Sequence, residues 1–444
     1  MSSTATRTDV QALIDLFQRT MWLPDPGIVT LVLGVVAANR LPGDPVWLLV
    51  VGPPSSGKTE VLGALYDLPE CHPVSSLTEA GLLSGSLSKD QEATGGLLLQ
   101  LGDRGLVLAP DFGTVLTEHA STRNRLFACL REVYDGRFVR RLGTAGGRTF
   151  AWRGHAGLIG ACTEVIDTPA IDLGLLGERF TYYRIPRSTP DDDFVACLMA
   201  AENAGRQAEI RAERAAAVAR FFEGLVLPDT LPPLPDAEHD RLSMLATLGA
   251  RLRSPVVRDG YSRTIETVPG HERPMRLFAQ LRQVHAGMAV IGTPAGVLWR
   301  LLAQVALGGT HPGRRSIVED LLARPGAHAT SNVAGHCGLP NTTARRHLED
   351  LVAHGVLVRT CDDPELWEPS EWLTQSWWAV RGTERLGPDG SPPVVRADES
   401  CPICNAPPPR RGVFGVAACV HQIAVLSPDL LEDGGTIADP REER

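Results

Sequence analysis

Apolar residues fall in short unbroken runs along the first half of the chain, at Val46 to Val51, Gly105 to Ala109, Ala156 to Ala161 and Phe180 to Ile185. Runs of this length without polar alternation suit strands covered on both faces. Between them the spacing turns helical, and such alternation predicts an α/β core, a parallel sheet flanked by helices. Upstream, residues 8 to 20 predict an amphipathic helix and Ile28 to Asn39 a buried one. Downstream, residues 199 to 225 predict one long helix, and helices are expected over 237 to 252 and 273 to 307. Two Pro/Gly-rich breaks, LVLPDTLPPLPDAEHD and GPDGSPPVV, suggest where segments part. The expected division is an N-terminal helix (1–23), a core (24–190), a helical lid and linker (191–310), a further small domain (311–385) and a loose tail (386–444).

The first apolar run leads straight into Gly52-Pro-Pro-Ser-Ser-Gly57-Lys58-Thr59, which fits the phosphate-binding loop G-x-x-x-x-G-K-[ST]. That spacing lets backbone N–H groups curl around a β-phosphate while Lys58 reaches the β/γ oxygens and Thr59 offers its hydroxyl to Mg²⁺. Gly52, Ser55, Ser56, Gly57, Lys58, Thr59 and Glu60 are therefore the candidate ATP-binding residues. Farther on, Gly105 to Asp111 forms a Walker B-like strand whose acid is a second Mg²⁺ ligand candidate. Phe112 stands where hydrolysing enzymes usually carry a glutamate, so the base must come from elsewhere, Glu118 or Glu132, or turnover is slow.

Composition narrows the class. Of 444 residues 43% are hydrophobic and 21% charged, which suits a folded multidomain protein. The longest apolar run, Ile28 to Ala38, is too short to cross a bilayer, and the N-terminus has no apolar leader. A cytoplasmic protein is expected, with its nine cysteines as thiols or metal ligands. A net charge of −9 argues against coating nucleic acid over the whole surface, so any DNA contact must be local.

One local basic segment exists. Leu130 to Gly154 carries six arginines (131, 137, 140, 141, 148 and 153) against two acids, and its FVRRLG and RTFAW halves flank a Thr-Ala-Gly-Gly turn. A hairpin with arginines and nearby aromatics suits phosphate tracking and base stacking; pairing with acids of a neighbouring subunit is the alternative. After it, GLIGACTEVID ends an apolar strand at Cys162-Thr163-Glu164, and LGERFTYYRIP carries Arg179 before the next.

In order and spacing these elements resemble an AAA+ ATPase core of the initiator and helicase branch over roughly residues 24–190. The resemblance implies that Thr163 is a polar sensor beside the γ-phosphate and that Arg179 is an arginine finger acting in trans, hence a homo-oligomeric ring or filament. The Arg-rich segment resembles the hairpin that the minichromosome-maintenance branch inserts before that sensor, which implies DNA contact by Arg137, Arg140, Arg141 and Arg148.

Near the C-terminus, helical spacing and a Gly-Leu-Pro turn divide residues 315–360 into three short helices and a strand. Thr330 to Arg359 resembles a winged helix-turn-helix, with Asn341 capping a recognition helix whose Arg345 and Arg346 would touch DNA. The tail offers Cys401, Cys404, Cys419 and His421 as a Zn²⁺ set, or as plain thiols. The expected function is an ATP-dependent, DNA-associated motor or loader; the alternatives are an ATP-gated transcriptional regulator and a nucleotide-dependent scaffold without DNA.

Overall fold

The four short apolar runs of the first half become strands of one five-stranded parallel sheet. The computed structural model describes residues 9–83, 96–141, 149–168 and 179–382. Helices α1 (Val10–Thr20) and α2 (Gly27–Arg40) precede β1 (Trp47–Val51), and α3 (Lys58–Gly63) follows it. Then come β2 (Cys71–Pro73), α4 (Glu79–Leu82), α5 (Gly96–Leu101), β3 (Arg104–Ala109), α6 (Gly113–Thr117) and α7 (Ala120–Tyr134). The hairpin β4 (Arg137–Arg141) and β5 (Thr149–Arg153), then β6 (His155–Cys162) and β7 (Phe180–Arg184), complete this half. The sheet order is β2-β3-β6-β1-β7. Thus β1 lies between β6 and β7, and the Walker B-like strand β3 is one strand removed from it.

Successive side chains of a strand point to opposite faces, and both faces here are covered. Leu48, Val50, Leu106, Leu108, Ile159 and Tyr183 share a core with α2. Leu49, Val51, Val107, Leu158, Phe180 and Tyr182 join the core containing residues of α5, α6 and α7. Helix α2 is buried over nearly its whole length because it lies between the sheet and α11 (Met275–Val290). Gly34 and Gly287 let those two helices touch; a Cβ on Gly287 would stand 2.1 Å from the Gly34 carbonyl oxygen.

The second half is helical and departs from the expected boundaries. The single helix expected over 199–225 is two, α8 (Pro190–Glu202) and α9 (Gln207–Glu223), parted where Gly205 takes a left-handed φ of 80°. The helical stretch expected over 273–307 comprises α11 and α12 (Ala295–Gly308), parted at Gly292 and Pro294. Between α10 (Asp236–Arg253) and α11 a small hairpin, β8 (Val257–Arg258) and β9 (Ile265–Thr267), was not legible. The C-terminal module comprises α13 (Pro312–Ala323), β10 (His328–Ala329), α14 (Thr330–Cys337), α15 (Asn341–Ala353), β11 (Leu357–Asp362) and β12 (Glu365–Pro369), closed by α16 (Glu371–Ser376) and α17 (Trp378–Arg381). Leu248, Leu252 and Leu307 of the helical layer share one core with Ile317, Leu348, Leu351 and Trp367 of this module. Trp367 and Trp377 are buried packing residues of this module.

Asp25 ties these layers together. Its carboxylate accepts from Tyr183 Oη of β7 (2.8 Å), from the Gly27 N–H (2.8 Å) and from Arg300 of α12 (2.6 and 3.1 Å). Burial pushes the Asp25 pKa up, but Arg300, Gly27 and Tyr183 together outweigh it and hold the group below its ordinary 3.8. A depressed carboxyl stabilises the fold fully above its unfolded pKa and loses that contribution as pH falls through the folded value. We expect Asp25→Ala to cost about 2–3 kcal/mol at pH 7, because the buried Tyr183 hydroxyl is left unpaired. In denaturant titrations the difference from wild type should shrink below pH 3.8; a constant difference would rule out the charged network as its source.

Candidate nucleotide and nucleic-acid sites

The loop after β1 has the backbone that a phosphate cradle needs. Ser55 (φ 63°) and Gly57 (φ 84°) are both left-handed, and Gly57 is the residue from which α3 starts. A Cβ on Gly57 would lie 2.4 Å from Met21 Cε, so the loop is also pressed against the chain segment after α1. The helix that opens here ends at Gly63, earlier than its sequence periodicity suggests. Lys58 is buried, and its amine donates to the carbonyls of Gly52 (2.8 Å) and Pro53 (2.5 Å) and to Ser56 Oγ (3.1 Å). Burial lowers the Lys58 pKa. The amine is therefore folded over its own loop, satisfied by neutral acceptors that a phosphate oxygen would outbid. Thr59 is exposed beside it.

Strand order brings the other candidates to the same sheet edge. Gly52 N–H donates to Cys162 O (3.2 Å), so Thr163 follows directly at the loop's flank. Asp111 leaves β3, two strands from β1 and so about 10 Å away. Its carboxylate is in no ion pair among the described residues, and it and the Thr59 hydroxyl are oxygen donors of the kind Mg²⁺ takes. The buried Cys162 thiol is flanked by Arg184 and Lys58, which draw its pKa down, and by Asp167 and Asp111, which raise it; burial dominates and pushes it to about 12. Lys58 and Asp111 thus both lie close enough to Cys162 to act on its thiol, in opposite directions.

Phe112 is fully buried and packs edge-on against Phe180, so this position faces the core and holds no base for the site. Among the candidate bases, Glu132 is in the last turns of α7, close enough to Cys129 to raise its pKa. Glu118 is exposed after α6, and Glu164, not singled out by sequence, is exposed directly after Thr163. Arg179 does not behave as a finger. Its side chain is 10% exposed and bonds both Asp135 oxygens at 2.9 Å, whereas a finger must project toward a neighbour.

A cavity of about 420 Å³ opens over the loop, lined by residues from 20–22, 55–60, α8 and α9. Trp22 lines it with a buried ring N–H that has no partner among the described residues. Two basic residues there escaped sequence reasoning. Arg211 and Arg214 of α9 hold Glu60, Arg211 at 2.6 Å and Arg214 at 3.4 Å, and Arg214 also donates to Thr20 Oγ1. Glu60 is thus engaged by arginines and not turned to a nucleotide. The contact joins residues 151 positions apart, which periodicity cannot reveal. Helix α8 buries none of its residues. Ala196, Met199 and Ala200 line the cavity, and at about 100° per residue Phe194 and Leu198 point the opposite way, 65% and 50% exposed.

The Arg-rich hairpin forms, with register Arg137↔Arg153, Val139↔Ala151 and Arg141↔Thr149 on its outer face. Phe138, Phe150 and Trp152 take the inner face, so the expected stacking aromatics are packing residues. Arg140 is also turned inward, donating to the Glu79 and Leu83 carbonyls. Arg137, Arg141 and Arg153 remain exposed, and Arg137 directly faces Arg153 across the strands. Facing like charges cost up to about 1 kcal/mol and attract an anion. Arg148 lies outside the described residues, as do Cys401, Cys404, Cys419 and His421.

In the C-terminal module Pro340, not Asn341, precedes the first turn of α15, and no side-chain cap bond forms. Arg346 is exposed, but Arg345 pairs with Glu349 (3.1 Å) and with Glu365 of the wing (2.8 Å). A seam links the sheet to the start of the module. Arg184 at the end of β7 grips Asp167 (2.7 and 2.8 Å) and donates to the Gly308 carbonyl (2.7 Å), and His311 then meets His347 of α15 with ring centroids 4.8 Å apart.

No helix among the described residues is long and apolar enough to cross a membrane. No curated protein matches the chain. Among solved structures, a protein from Cytophaga hutchinsonii described as a candidate ATPase is 13% identical, with 64% of this chain and 79% of that one covered and a TM-score of 0.37. The C-terminal region of NrS-1, in an apo form, is 12% identical, with 81% and 75% covered and a TM-score of 0.30. Residues 310–360 match the family model of a helix-turn-helix domain.

Proposed function

We propose that the chain is an ATP-binding, DNA-associated ATPase of AAA+ type, with a motor or loader role like that of the initiator and minichromosome-maintenance branch. The observation that carries this reading is the left-handed loop after β1, whose Lys58 and Thr59 line a cavity bounded by α8 and α9 on the sheet edge where β6 and β3 also end, at Thr163 and Asp111. Lys58 would leave its loop carbonyls for the phosphates, and Arg211 or Arg214 would exchange Glu60 for the terminal phosphate. Mg²⁺, when bound, would be held by Thr59 and Asp111 and would neutralise phosphate charge. Thr163 would orient the attacking water. The nucleobase would lie toward Met21 and Trp22.

DNA would meet the outer hairpin face, Arg137, Arg141 and Arg153, and the exposed Arg346 of α15. The uncovered stripe on α8 supports a homo-oligomer, in which any trans-acting arginine is one other than Arg179. A Zn²⁺ site in the cysteine tail belongs to the same proposal.

A second reading, an ATP-gated transcriptional regulator, is favoured by the buried Phe112 and by the Arg184 seam between the sheet and the helix-turn-helix module. ATP turnover measured with and without single- and double-stranded DNA separates the two. We expect DNA to raise turnover several-fold and the Arg137→Ala/Arg153→Ala pair to remove the stimulation. ATP-dependent DNA binding without turnover would favour the regulator; ATP binding without any DNA effect would leave the scaffold.

A further inference from the structure

The hairpin β8–β9 holds a tyrosine out into water. Tyr261 is 97% exposed at the tip, yet the turn beneath it is firmly built. Asp259 Oδ1 accepts from the N–H groups of Tyr261 (3.0 Å) and Ser262 (2.6 Å) and from Ser262 Oγ (2.8 Å), and Asp259 N–H donates to Thr264 O (3.0 Å). Arg263 sits in the left-handed region (φ 61°) with its side chain exposed and in no ion pair among the described residues.

This tip is fastened to α15. Arg258 of β8 donates to Arg263 O (2.8 Å) on one side and to Arg346 O (3.0 Å), Glu349 (2.9 Å) and Asp350 (2.7 Å) on the other. On the helix wheel Arg346 lies between Glu349 and Asp350, so its side chain shares the flank that Arg258 touches. Arg258, with Arg314 at 2.9 Å from Asp350, also cancels two carboxylates that would repel a phosphate. The opposite flank is different: Arg345 and Arg359 are both drawn to Glu365, and the wing tip is Asp362-Asp363, where Asp362, 84% exposed, also holds Arg359 (3.1 Å). Helix α15 therefore stands between an acidic wing and a hairpin bearing Tyr261 and Arg263.

We propose that the β8–β9 hairpin is a second nucleic-acid contact of the helix-turn-helix module, laying Tyr261 against a base or sugar and Arg263 on a phosphate of duplex DNA held by α15. The proposal rests on the reading of the chain as DNA-associated and goes beyond it: residues 257–267 lie outside the segment matched by the helix-turn-helix family model. It also makes the hairpin, and not the wing, the arm that leans on the duplex.

The test is fluorescence anisotropy of the full chain on a labelled mixed-sequence duplex of about three helical turns over a series of salt concentrations. Tyr261→Ala should weaken binding about tenfold. Arg263→Gly, which suits the left-handed backbone, should reduce the slope of log K against log salt by about 0.9, one phosphate contact. Asp362→Asn should leave affinity unchanged or improve it. Unaltered thermal melting in each variant shows that the fold is intact. If the wild type binds duplex and both hairpin variants bind it equally well with the same salt slope, the proposal is overturned while the DNA-associated reading stands. If the wild type binds no duplex at any salt, that reading has failed and this one with it.

Discussion

Lys58→Ala should lower nucleotide affinity at least ~100-fold and abolish turnover, with or without DNA. The amine makes three hydrogen bonds, all to acceptors of its own loop, and none lies outside the site. Those bonds are to neutral oxygens; a triphosphate offers charged ones, each worth about 1.5–3 kcal/mol to a buried ammonium, and two such contacts account for two decades or more. Because burial already lowers the Lys58 pKa, removing the ammonium also removes a desolvated charge, which offsets part of the lost bonding. Melting should therefore shift little while binding collapses. Isothermal titration with a non-hydrolysable ATP analogue checks both halves: binding retained within a factor of a few would mean that this loop is not the phosphate site.

Gly308→Ala should be as damaging by a different route. Helix α12 meets β7 with no room for a methyl group: an added Cβ would stand 2.0 Å from the Tyr182 carbonyl oxygen and 2.7 Å from its carbon. Both obstacles are backbone, so neither can swing aside as a side-chain end would. Overpacking of this kind costs about 3 kcal/mol or more. To relieve it α12 must slide off β7, taking the Gly308 carbonyl away from Arg184 and the first turn of the helix-turn-helix module with it. Gly63→Ala is the control, since nothing stands within 4 Å of its added Cβ. Equal denaturation midpoints for the two variants would show that the seam is not tight. Where Gly308→Ala still folds, ATP should no longer alter DNA affinity although each ligand binds alone.

The phosphate loop and its sheet were legible because they are local: an apolar run, a fixed motif and a helix start lie within twenty consecutive positions. The order of strands was not. Nothing in the chain says that β6 inserts between β1 and β3, yet that insertion puts Thr163 beside the loop and Asp111 beyond it. The helix expected over 199–225 shows the limit of composition, since its Ala-rich sequence conceals the break at Gly205. Arg179, Arg140 and Arg345 were plausible contacts by position, but each is claimed by an acceptor distant in sequence or across a turn: Asp135, the Leu83 carbonyl and Glu365. Arginine is abundant in this chain and its long side chain finds carbonyls and carboxylates readily, so its identity alone predicts charge and not availability. The β8–β9 hairpin escaped because two- and three-residue strands leave no periodicity to detect.

Helix α8 has a kinetic consequence. With no buried residue, its amides are held, among the described residues, by the helix's own bonds and by the box between Thr189 and Asp192. A 13-residue helix standing on such support is marginal in water, so it should open and close many times for each opening of the sheet. Solvent hydrogen would then enter α8 long before it reaches β1, and whatever settles over Ala196 and Met199, or over Phe194 and Leu198, would slow that entry. One helix would thus keep time for both of its faces.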